Sequence, residues 1–228
     1  MQAVVFDFYY TLVNADVHRL STIEEFLRGH GSLLSANEMW AAWTTLPPFT
    51  KPGSLDGPLG AFESLTERWL TLGPVALASV GLPPDGEGWA RCRAEAHRRA
   101  EPYADVAPAL VALRDAGLEL AVLSDTDDDY FFGCMADHGL AFDVVVTSES
   151  MRCYKPHRSM FDEVCKRLGV ESHEAIYVGD SPREDVAGPQ NAGMTAAWIN
   201  RRGLIWPEEL PPPDHTIDSL TDLVSICA

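Results

Sequence analysis

The stretch APALVALRDAGLELAVLSD, residues 107–125, contains one complete helix–strand unit. Residues 107–116 have the apolar spacing of a helix, and Gly117 follows as a helix-terminating residue. Residues 118–123 form a short apolar run that is typical of a buried strand, and polar residues Ser124-Asp125 come directly after it. A helix that leads into a buried strand predicts a parallel sheet covered by helices.

The same alternation extends over most of the chain. Further strands are predicted at residues 3–6, 144–146, 175–178 and 195–199. Further helices are predicted at residues 130–138, 159–168 and 186–192. We therefore expect an α/β fold with a Rossmann-like parallel sheet and helices on both of its faces.

Residues 15–100 differ from this pattern, because they have helical periodicity and little strand character. The helical spacings occur at residues 20–27, 39–46, 62–72 and 89–99. We predict a catalytic core formed by residues 1–14 and 101–228, with residues 15–100 inserted into it as an α-helical unit.

The charge of the chain excludes several classes of partner. Its 228 residues carry a formal net charge of −17, and the sequence pI is near 4.6. Such a field repels polyanions, and the sequence has no basic stripe, so neither nucleic acids nor anionic membrane surfaces are expected as partners. A small phosphorylated substrate is still compatible with this charge, since a bound divalent metal can invert the field inside a cleft.

The five cysteines form no close pair, so neither a zinc knuckle nor a disulfide framework is predicted. The seven histidines have no metal-ligand spacing and are interpreted as surface or packing residues. The first predicted strand begins almost at Met1, and no apolar run approaches the length of a membrane span. We expect a cytoplasmic protein with reduced thiols; the sequence does not decide the oligomeric state.

Four polar side chains follow predicted strands or lie in the loops after them: Asp7, Ser124, Lys155 and Asp180. The carboxyl ends of parallel strands meet in one crevice, which is where open α/β sheets bind ligands. Each residue alone is better explained as a turn residue or a helix cap than as a functional group. Their order and spacing together favour a functional site.

These residues lie in four motifs that resemble those of the haloacid dehalogenase superfamily. The motifs are Phe6-Asp7-Phe8-Tyr9-Tyr10-Thr11-Leu12, Ser124-Asp125, Tyr154-Lys155-Pro156, and Gly179-Asp180 with Asp185. The helical insertion after the first motif is similar to the type 1 cap of this superfamily. The resemblance covers the whole chain and implies a hydrolase, but the motifs do not identify its substrate.

The resemblance assigns roles to the motif residues. Asp7 is implied as the nucleophile, which forms a covalent intermediate that water then cleaves. Thr11, Ser124 and Lys155 are implied as the groups that stabilise negative charge on a phosphoryl group. Ser124, Asp125 and Lys155 are the candidate substrate-binding residues, although Asp125 stands where the superfamily usually has Asn.

A magnesium ion is also implied by the resemblance. Its ligands would be Asp7, Asp180 and the backbone carbonyl of Tyr9, with Asp185 in direct or water-mediated contact. The carboxylates beside Asp7 would repel one another without a cation.

Position 9 departs from the pattern of most phosphatases in the superfamily, which carry a second Asp there as general acid and base. Tyr9 is similar instead to the L-2-haloacid dehalogenases, whose halide leaving group needs no proton. The fourth motif favours the other reading, because those dehalogenases have Ser-Ser-Asn before the final Asp and use no metal. They also carry an Arg early in the insertion, whereas residues 37–45 contain none and Arg28 is the nearest upstream.

We predict a Mg²⁺-dependent phosphatase that cleaves a small phosphorylated metabolite through an aspartyl-phosphate intermediate on Asp7. Two alternatives stay open: a 2-haloacid dehalogenase-type hydrolase that forms an aspartyl ester, and a member with altered catalysis that serves as a binding module. Metal dependence separates the two enzymes, and trapping of an intermediate on Asp7 separates both from the binding module.

Overall fold

A six-stranded parallel sheet lies at the centre of the computed structural model, which describes residues 1–47 and 55–227. The strands in these residues are β1 (Ala3–Phe6), β2 (Val13–Asn14), β3 (Glu101–Pro102), β4 (Glu119–Ser124), β5 (Val144–Thr147), β6 (Ala175–Gly179), β7 (Thr195–Ile199) and β8 (His215–Ile217). The order in the main sheet is β5-β4-β1-β6-β7-β8, and every neighbouring pair is parallel.

Helices cover both faces of this sheet. The α-helices in the described residues are α1 (Arg19–Gly29), α2 (Ala36–Thr44), α3 (Leu65–Ser79), α4 (Gly86–Arg98), α5 (Val106–Asp115), α6 (Asp128–Asp137), α7 (Ser148–Met151), α8 (Arg158–Leu168), α9 (Gly188–Asn191) and α10 (Leu223–Cys227). Val4 and Phe6 of β1 belong to the same buried cluster as residues of α5 and α6, whereas Ala3 and Val5 pack with residues of α8. Because successive strand residues point to opposite faces, both faces of β1 are apolar. The predicted α/β fold is confirmed.

The register of the central strands brings their carboxyl ends to one level. Phe6 of β1 lies opposite Val122 of β4 on one side and Val178 of β6 on the other. The next residue, Asp7, therefore leaves the sheet at the same edge as the ends of β4 and β6.

Helices α1 to α4 all lie within residues 15–100, which we call the cap; its residues 48–54 lie outside the described residues. The four helices correspond to the four helical spacings in the sequence. Strands β2 and β3 pair antiparallel where the chain leaves the sheet region and returns to it. In the part of the chain that the structure describes, no helix combines the length and the apolar character needed to span a bilayer.

The core also holds one end of the cap directly. The carboxylate of Asp127, the residue before α6, accepts hydrogen bonds from the backbone N–H groups of Leu65 and Thr66, at 3.0 and 2.7 Å. These are two of the unpaired donors in the first turn of α3, where negative charge is also favoured by the helix dipole. Asp127 therefore fixes α3 relative to the sheet.

The helix predicted at residues 186–192 differs in the structure. It begins earlier, as a π-helical turn (Pro182–Ala187) that continues into the short helix α9. A proline is tolerated in a first helical turn because its missing N–H would have no partner there. Strand β8 and helix α10 were not predicted, because their short sequences carry no clear periodicity.

Candidate active site

The carboxyl ends of β1, β4 and β6 surround a cavity of about 200 Å³. It is lined by Asp7, Tyr9, Tyr10, His97, Ser124, Asp125, Lys155, Asp180, Ser181, Glu184 and Asp185. The structure therefore brings together all the sequence-predicted site residues except Thr11. His97 is the lining residue that comes from the cap.

Lys155 lies at the centre of the polar groups in this cavity. Its buried ammonium donates to Asp7 Oδ1 and Asp185 Oδ1, each at 2.7 Å, and to the hydroxyl of Tyr177 at 2.9 Å. Three donors thus meet three acceptors. Burial alone would lower the pKa of Lys155, but the charges of Asp185 and Asp7 raise it well above its ordinary value. The amine is permanently charged and holds Asp7 in a fixed orientation.

Tyr177 was not predicted as part of the site. It lies in the middle of β6 and is fully buried, and its hydroxyl donates to the backbone carbonyl of Leu123 at 2.9 Å. The oxygen can therefore accept from Lys155, which the hydroxyl helps to position. A tyrosine in a buried apolar strand gives no sequence signal for this contact, because packing alone explains its residue type.

Three buried carboxylates converge beside Lys155. Asp7, Asp180 and Asp185 can each offer an oxygen such that these oxygens lie within 4.8 Å of one another. Burial raises the pKa of all three; Asp180 further raises the pKa of Asp7, and Asp185 that of Asp180. The pKa values of Asp180 and Asp185 rise to about 6. All three carboxyls therefore bind protons more readily than exposed ones, which indicates a shortage of positive charge around them.

Gly179 is required for the approach of Asp185. A Cβ at position 179 would lie 2.4 Å from Cγ of Asp185, closer than any side chain allows. The carboxylate of Asp185 is also fixed by the backbone N–H of Ser181, which donates to Oδ2 at 2.9 Å. The Gly-Asp pair that ends β6 thus allows both Asp180 and Asp185 to reach the cavity.

Asp180 has a cationic neighbour that the sequence analysis missed. The guanidinium of Arg202 lies 2.6 Å from Asp180 Oδ2 and stacks 4.5 Å from the ring centroid of Tyr10. Arg202 is in the loop after β7, at the same edge of the sheet as the motif residues. This position after a predicted strand is the signal that could have revealed it.

Tyr10 shapes the turn that follows the nucleophile. Its backbone has a φ of +66°, a left-handed conformation that costs a non-glycine residue about 1–3 kcal/mol. The turn is held by hydrogen bonds from Tyr10 N–H to the carbonyl of Val13 and from Leu12 N–H to that of Phe8, at 2.7 and 2.8 Å. The Tyr10 hydroxyl donates to Asp16 Oδ1 at 3.0 Å, which places the ring at the cavity wall.

Ser124 and Asp125 end strand β4 at the cavity. Ser124 is almost fully buried and lines the wall. One oxygen of Asp125 accepts a hydrogen bond from the backbone N–H of Lys155 at 3.0 Å. Asp125 therefore supports the loop that carries Lys155, which gives this carboxylate a role apart from substrate contact.

Thr11 lies behind the cavity wall. Its buried hydroxyl has no hydrogen-bond partner within residues 1–47 and 55–227, and its carbonyl accepts from Arg201 Nε at 2.8 Å. The role in phosphoryl binding that the family resemblance implies for Thr11 stays a prediction.

Tyr9 occupies the position of the expected general acid. Its ring makes edge contacts with Phe8 and His97, at centroid distances of 5.1 and 5.0 Å. Burial, with the neighbouring Tyr130 and Cys134, raises the pKa of Tyr9 well above its ordinary value. The phenol stays neutral at physiological pH and is a weak acid, so it is poorly matched to proton transfer.

His97 of helix α4 closes the cap side of the cavity. Its Nδ1 lies 2.8 Å from the carbonyl oxygen of Arg93. Because a carbonyl only accepts, Nδ1 carries the proton and Nε2 is left as an acceptor. Burial lowers the pKa of His97 to about 3, assisted by the charge of Arg93, so the ring is neutral. Arg93 and His97 follow the buried Trp89 at i+4 and i+8, a spacing that could have revealed them.

The part of the chain that contains the second, third and fourth motifs matches a protein-family model. The model for haloacid dehalogenase-like hydrolases matches residues 87–199. This range includes His97, Ser124, Lys155 and Asp180, but not Asp7.

Similar proteins extend the match over the whole chain. Haloacetate dehalogenase H-2 of Moraxella sp. is 28% identical over 235 residues, which cover 100% of this chain and 98% of that protein. The (S)-2-haloacid dehalogenase of Xanthobacter autotrophicus is 31% identical over 203 residues, 88% of this chain and 76% of that protein. A glyceraldehyde 3-phosphate phosphatase of Methanopyrus kandleri is 34% identical over 134 residues, 55% of this chain and 56% of that protein.

Among solved structures, L-2-haloacid dehalogenase from Xanthobacter autotrophicus has the same fold. The TM-score is 0.76, the sequence identity is 24%, and the match covers 99% of this chain and 98% of that chain.

Proposed function

Because this chain belongs to the haloacid dehalogenase-like hydrolase family, we propose that it is a Mg²⁺-dependent phosphatase whose nucleophile is Asp7. The observation that favours this activity within the family is the convergence of Asp7, Asp180 and Asp185 on one point. The proposed substrate is a small phosphate ester, since the cavity encloses only about 200 Å³.

The residues around this point fit a magnesium ion. Carboxylate oxygens are the ligands that Mg²⁺ prefers, and here Asp7 after β1 and Asp180 with Asp185 after β6 bring three of them together. Lys155 and Arg202 are the cations in contact with them, so one negative charge is left uncompensated when all three carboxyls are ionised. When bound, Mg²⁺ would neutralise this charge and that of the phosphoryl oxygens.

Asp7 and Lys155 carry the proposed reaction. An oxygen of Asp7 attacks phosphorus, the bond from phosphorus to the leaving oxygen breaks, and an aspartyl phosphate forms. Water then attacks phosphorus, which releases inorganic phosphate and restores the carboxylate. Lys155 keeps Asp7 oriented through Oδ1, and the proposal has the Ser124 hydroxyl, which lines the cavity at the end of β4, donate to a phosphoryl oxygen.

Proton transfer to the leaving group lacks its usual donor. Tyr9 stands at that position, and its raised pKa makes it a weak acid. His97 is neutral with Nε2 as an acceptor, so it can orient a water or a substrate hydroxyl but cannot donate a proton. We therefore propose that the enzyme favours substrates whose leaving groups depart as stable anions.

A second candidate function is hydrolytic dehalogenation of a 2-haloacid. It is favoured by Tyr9 and by whole-length similarity to proteins named as haloacid and haloacetate dehalogenases. In that reaction Asp7 would displace halide from carbon, and no proton would be needed by the leaving group. The three carboxylates would then rely on Lys155 and Arg202 for their compensation.

Turnover of a panel of phosphate esters and 2-haloacids, with Mg²⁺ and with excess chelator, tests the proposal. We expect phosphate release that requires Mg²⁺ and that is lost in Asp180→Asn. Asp129→Asn is the matched control, since it removes an exposed carboxylate outside the cavity and should keep activity. Halide release that is undiminished by chelator, without phosphate release, would establish the second candidate instead.

A further inference from the structure

We propose that Arg93 of cap helix α4 binds a carboxylate of the substrate, so the substrate carries this group in addition to the one that Asp7 attacks. The inference rests on the proposed function only in taking the group that Asp7 attacks to be a phosphate. It specifies the substrate class as a small acid, phosphorylated on the favoured reading.

Arg93 is a buried cation with no counter-ion among the described residues. Arg93 is only 8% exposed. Its guanidinium makes no hydrogen bond or ion pair to any of residues 1–47 or 55–227. The group instead packs against two indoles, at 4.9 Å from the ring centroid of Trp40 and 5.7 Å from that of Trp69.

Such an arrangement is unfavourable in the free protein. Burial lowers the pKa of Arg93, but a guanidinium stays protonated in proteins, so the positive charge persists. The desolvation cost of such an ion exceeds what stacking on aromatic rings returns. An anion that enters with the substrate would supply the missing partner.

Arg19 provides the internal comparison. Its guanidinium lies 4.3 Å from the same Trp40 ring, but it is paired with Asp16 at 2.5 Å. Both arginines therefore stack on one indole, and they differ in whether a carboxylate neutralises them. Stacking on Trp40 is therefore compatible with a carboxylate partner, and the lack of such a partner is particular to Arg93.

The position of Arg93 places it on the cap side of the catalytic cavity. It lies one helical turn before His97, which lines that cavity, and its carbonyl holds the imidazole. The charge of Arg93 adds to burial in lowering the pKa of His97, and it partly offsets the rise that burial and Asp16 cause in the pKa of Tyr10. Arg93 is not one of the residues that line the cavity, so the proposed contact requires the substrate carboxylate to extend past the wall residue His97 toward the guanidinium.

A guanidinium binds carboxylate and phosphate alike, and we assign a carboxylate because it is the smaller of the two anions. A guanidinium offers two parallel N–H groups that match the two oxygens of one carboxylate. The cavity of about 200 Å³ also limits the size of a bifunctional substrate. In a chain of net charge −17, a local cation is needed to favour a small anion over its neutral analogue.

The test compares two non-hydrolysable ligands in the presence of Mg²⁺: phosphonoacetate, which carries a carboxylate, and ethylphosphonate, which does not. Isothermal titration should show that the wild type prefers phosphonoacetate by about 10- to 100-fold, as expected for a charge-assisted hydrogen bond. Arg93→Met should lose this preference. Arg19→Met, which stays outside the proposed contact, should keep it.

Thermal unfolding separates binding from a structural role. Arg93→Met replaces an unpaired buried charge by an apolar side chain on the same indoles, so its Tm should equal or exceed that of the wild type. Arg19→Met, which strands Asp16, should have a lower Tm. An unchanged ligand preference in Arg93→Met would overturn the proposal whatever its Tm.

A further titration distinguishes failure of the phosphatase proposal from failure of the Arg93 proposal. If neither phosphonate binds the wild type, 2-chloropropionate should be titrated into Asp7→Asn and into the double variant with Arg93→Met. Weaker binding in the double variant would support the carboxylate contact while rejecting phosphate chemistry. Equal binding would overturn the role of Arg93.

Discussion

At the sheet edge every buried charge has a partner of opposite sign, whereas the cap contains a buried cation with no carboxylate partner among the described residues. At the edge, Lys155 contacts Asp7, Asp185 and the hydroxyl of Tyr177, and Arg202 contacts Asp180. In the cap, Arg93 has aromatic neighbours and no carboxylate among the described residues.

This difference in charge pairing corresponds to two functions of the cavity, the chemical step and the selection of the substrate. Groups that perform chemistry must be held in one geometry before substrate arrives, which mutual hydrogen bonds achieve. A group that selects the substrate is most effective when its partner is the substrate itself, since an analogue that lacks this partner leaves the charge unpaired. Removal of the edge cation Lys155 should therefore alter both rate and stability, whereas removal of Arg93 should alter selectivity.

The largest effect is expected for Asp7→Asn. The amide keeps the shape of the carboxylate but cannot attack, so turnover should fall by at least about 10⁴-fold. Circular dichroism and Tm should stay close to wild type, because Lys155 retains Asp185 and Tyr177 as partners. Turnover near the wild-type rate would remove Asp7 from the mechanism.

The wild type should also be strongly sensitive to the leaving group. General acid catalysis contributes about 10²–10⁴-fold, and Tyr9 is unsuited to supply it. A plot of log kcat/KM against leaving-group pKa should therefore have a steep negative slope across aryl and alkyl phosphates. The slope should flatten in Tyr9→Asp if that variant retains its fold. A flat slope in the wild type, with chemistry rate-limiting, would mean that another residue donates the proton.

Lys155→Met should test whether the edge is held by charge compensation. It leaves Asp7 and Asp185 buried without their shared cation, so the free energy of unfolding should fall by about 3–5 kcal/mol. Lys166→Met is the matched control, because Lys166 is exposed and pairs with Glu163 at the surface, a contact of at most about 1 kcal/mol. Equal urea midpoints for the two variants would show that the edge needs no such compensation.

A smaller effect concerns pH and metal in the same region. The pKa values of Asp180 and Asp185 are about 6 when folded, above the ordinary 3.8, so the folded state binds protons more tightly. Metal-free stability should therefore decrease between about pH 4 and 6, by on the order of 3 kcal/mol for each carboxyl, and stay low above that range. Mg²⁺ competes with these protons and should raise Tm more at pH 7.5 than at pH 5. An equal Tm shift at both pH values would argue against carboxylate ligation.

The sheet edge could be predicted because its residues follow strands. Asp7 and Asp180 come directly after short apolar runs. Parallel strands bring the residues that follow them to one edge of the sheet, and this does not depend on the rest of the sequence. The register of β1 against β4 and β6 bears out this reasoning. The compensating groups were harder to find, because Tyr177 reaches Lys155 from within a strand, and its direction depends on the pleat.

The cap residues could not be predicted for a related reason. Arg91 and Arg93 occur in one Arg-rich helix and look equivalent in sequence, yet the side chain of Arg91 is 72% exposed and Arg93 is buried. Which face of α4 turns inward depends on how the cap packs on the core through contacts such as Asp127 with α3. Helical periodicity from Trp89 narrows the choice, but it does not show that Arg93 lacks a counter-ion.

Single-turnover hydrolysis in ¹⁸O-water, with enzyme in excess over substrate, tests the proposed chemistry most directly. In a phosphatase that forms an aspartyl phosphate on Asp7, water attacks phosphorus, so the label should appear in inorganic phosphate and not in the protein. Mass spectrometry of the peptide that contains Asp7 measures whether the protein has taken up the label. Label in the Asp7 carboxylate would mean that water attacks the carbon of an aspartyl ester, which would contradict the phosphatase and establish the dehalogenase reaction.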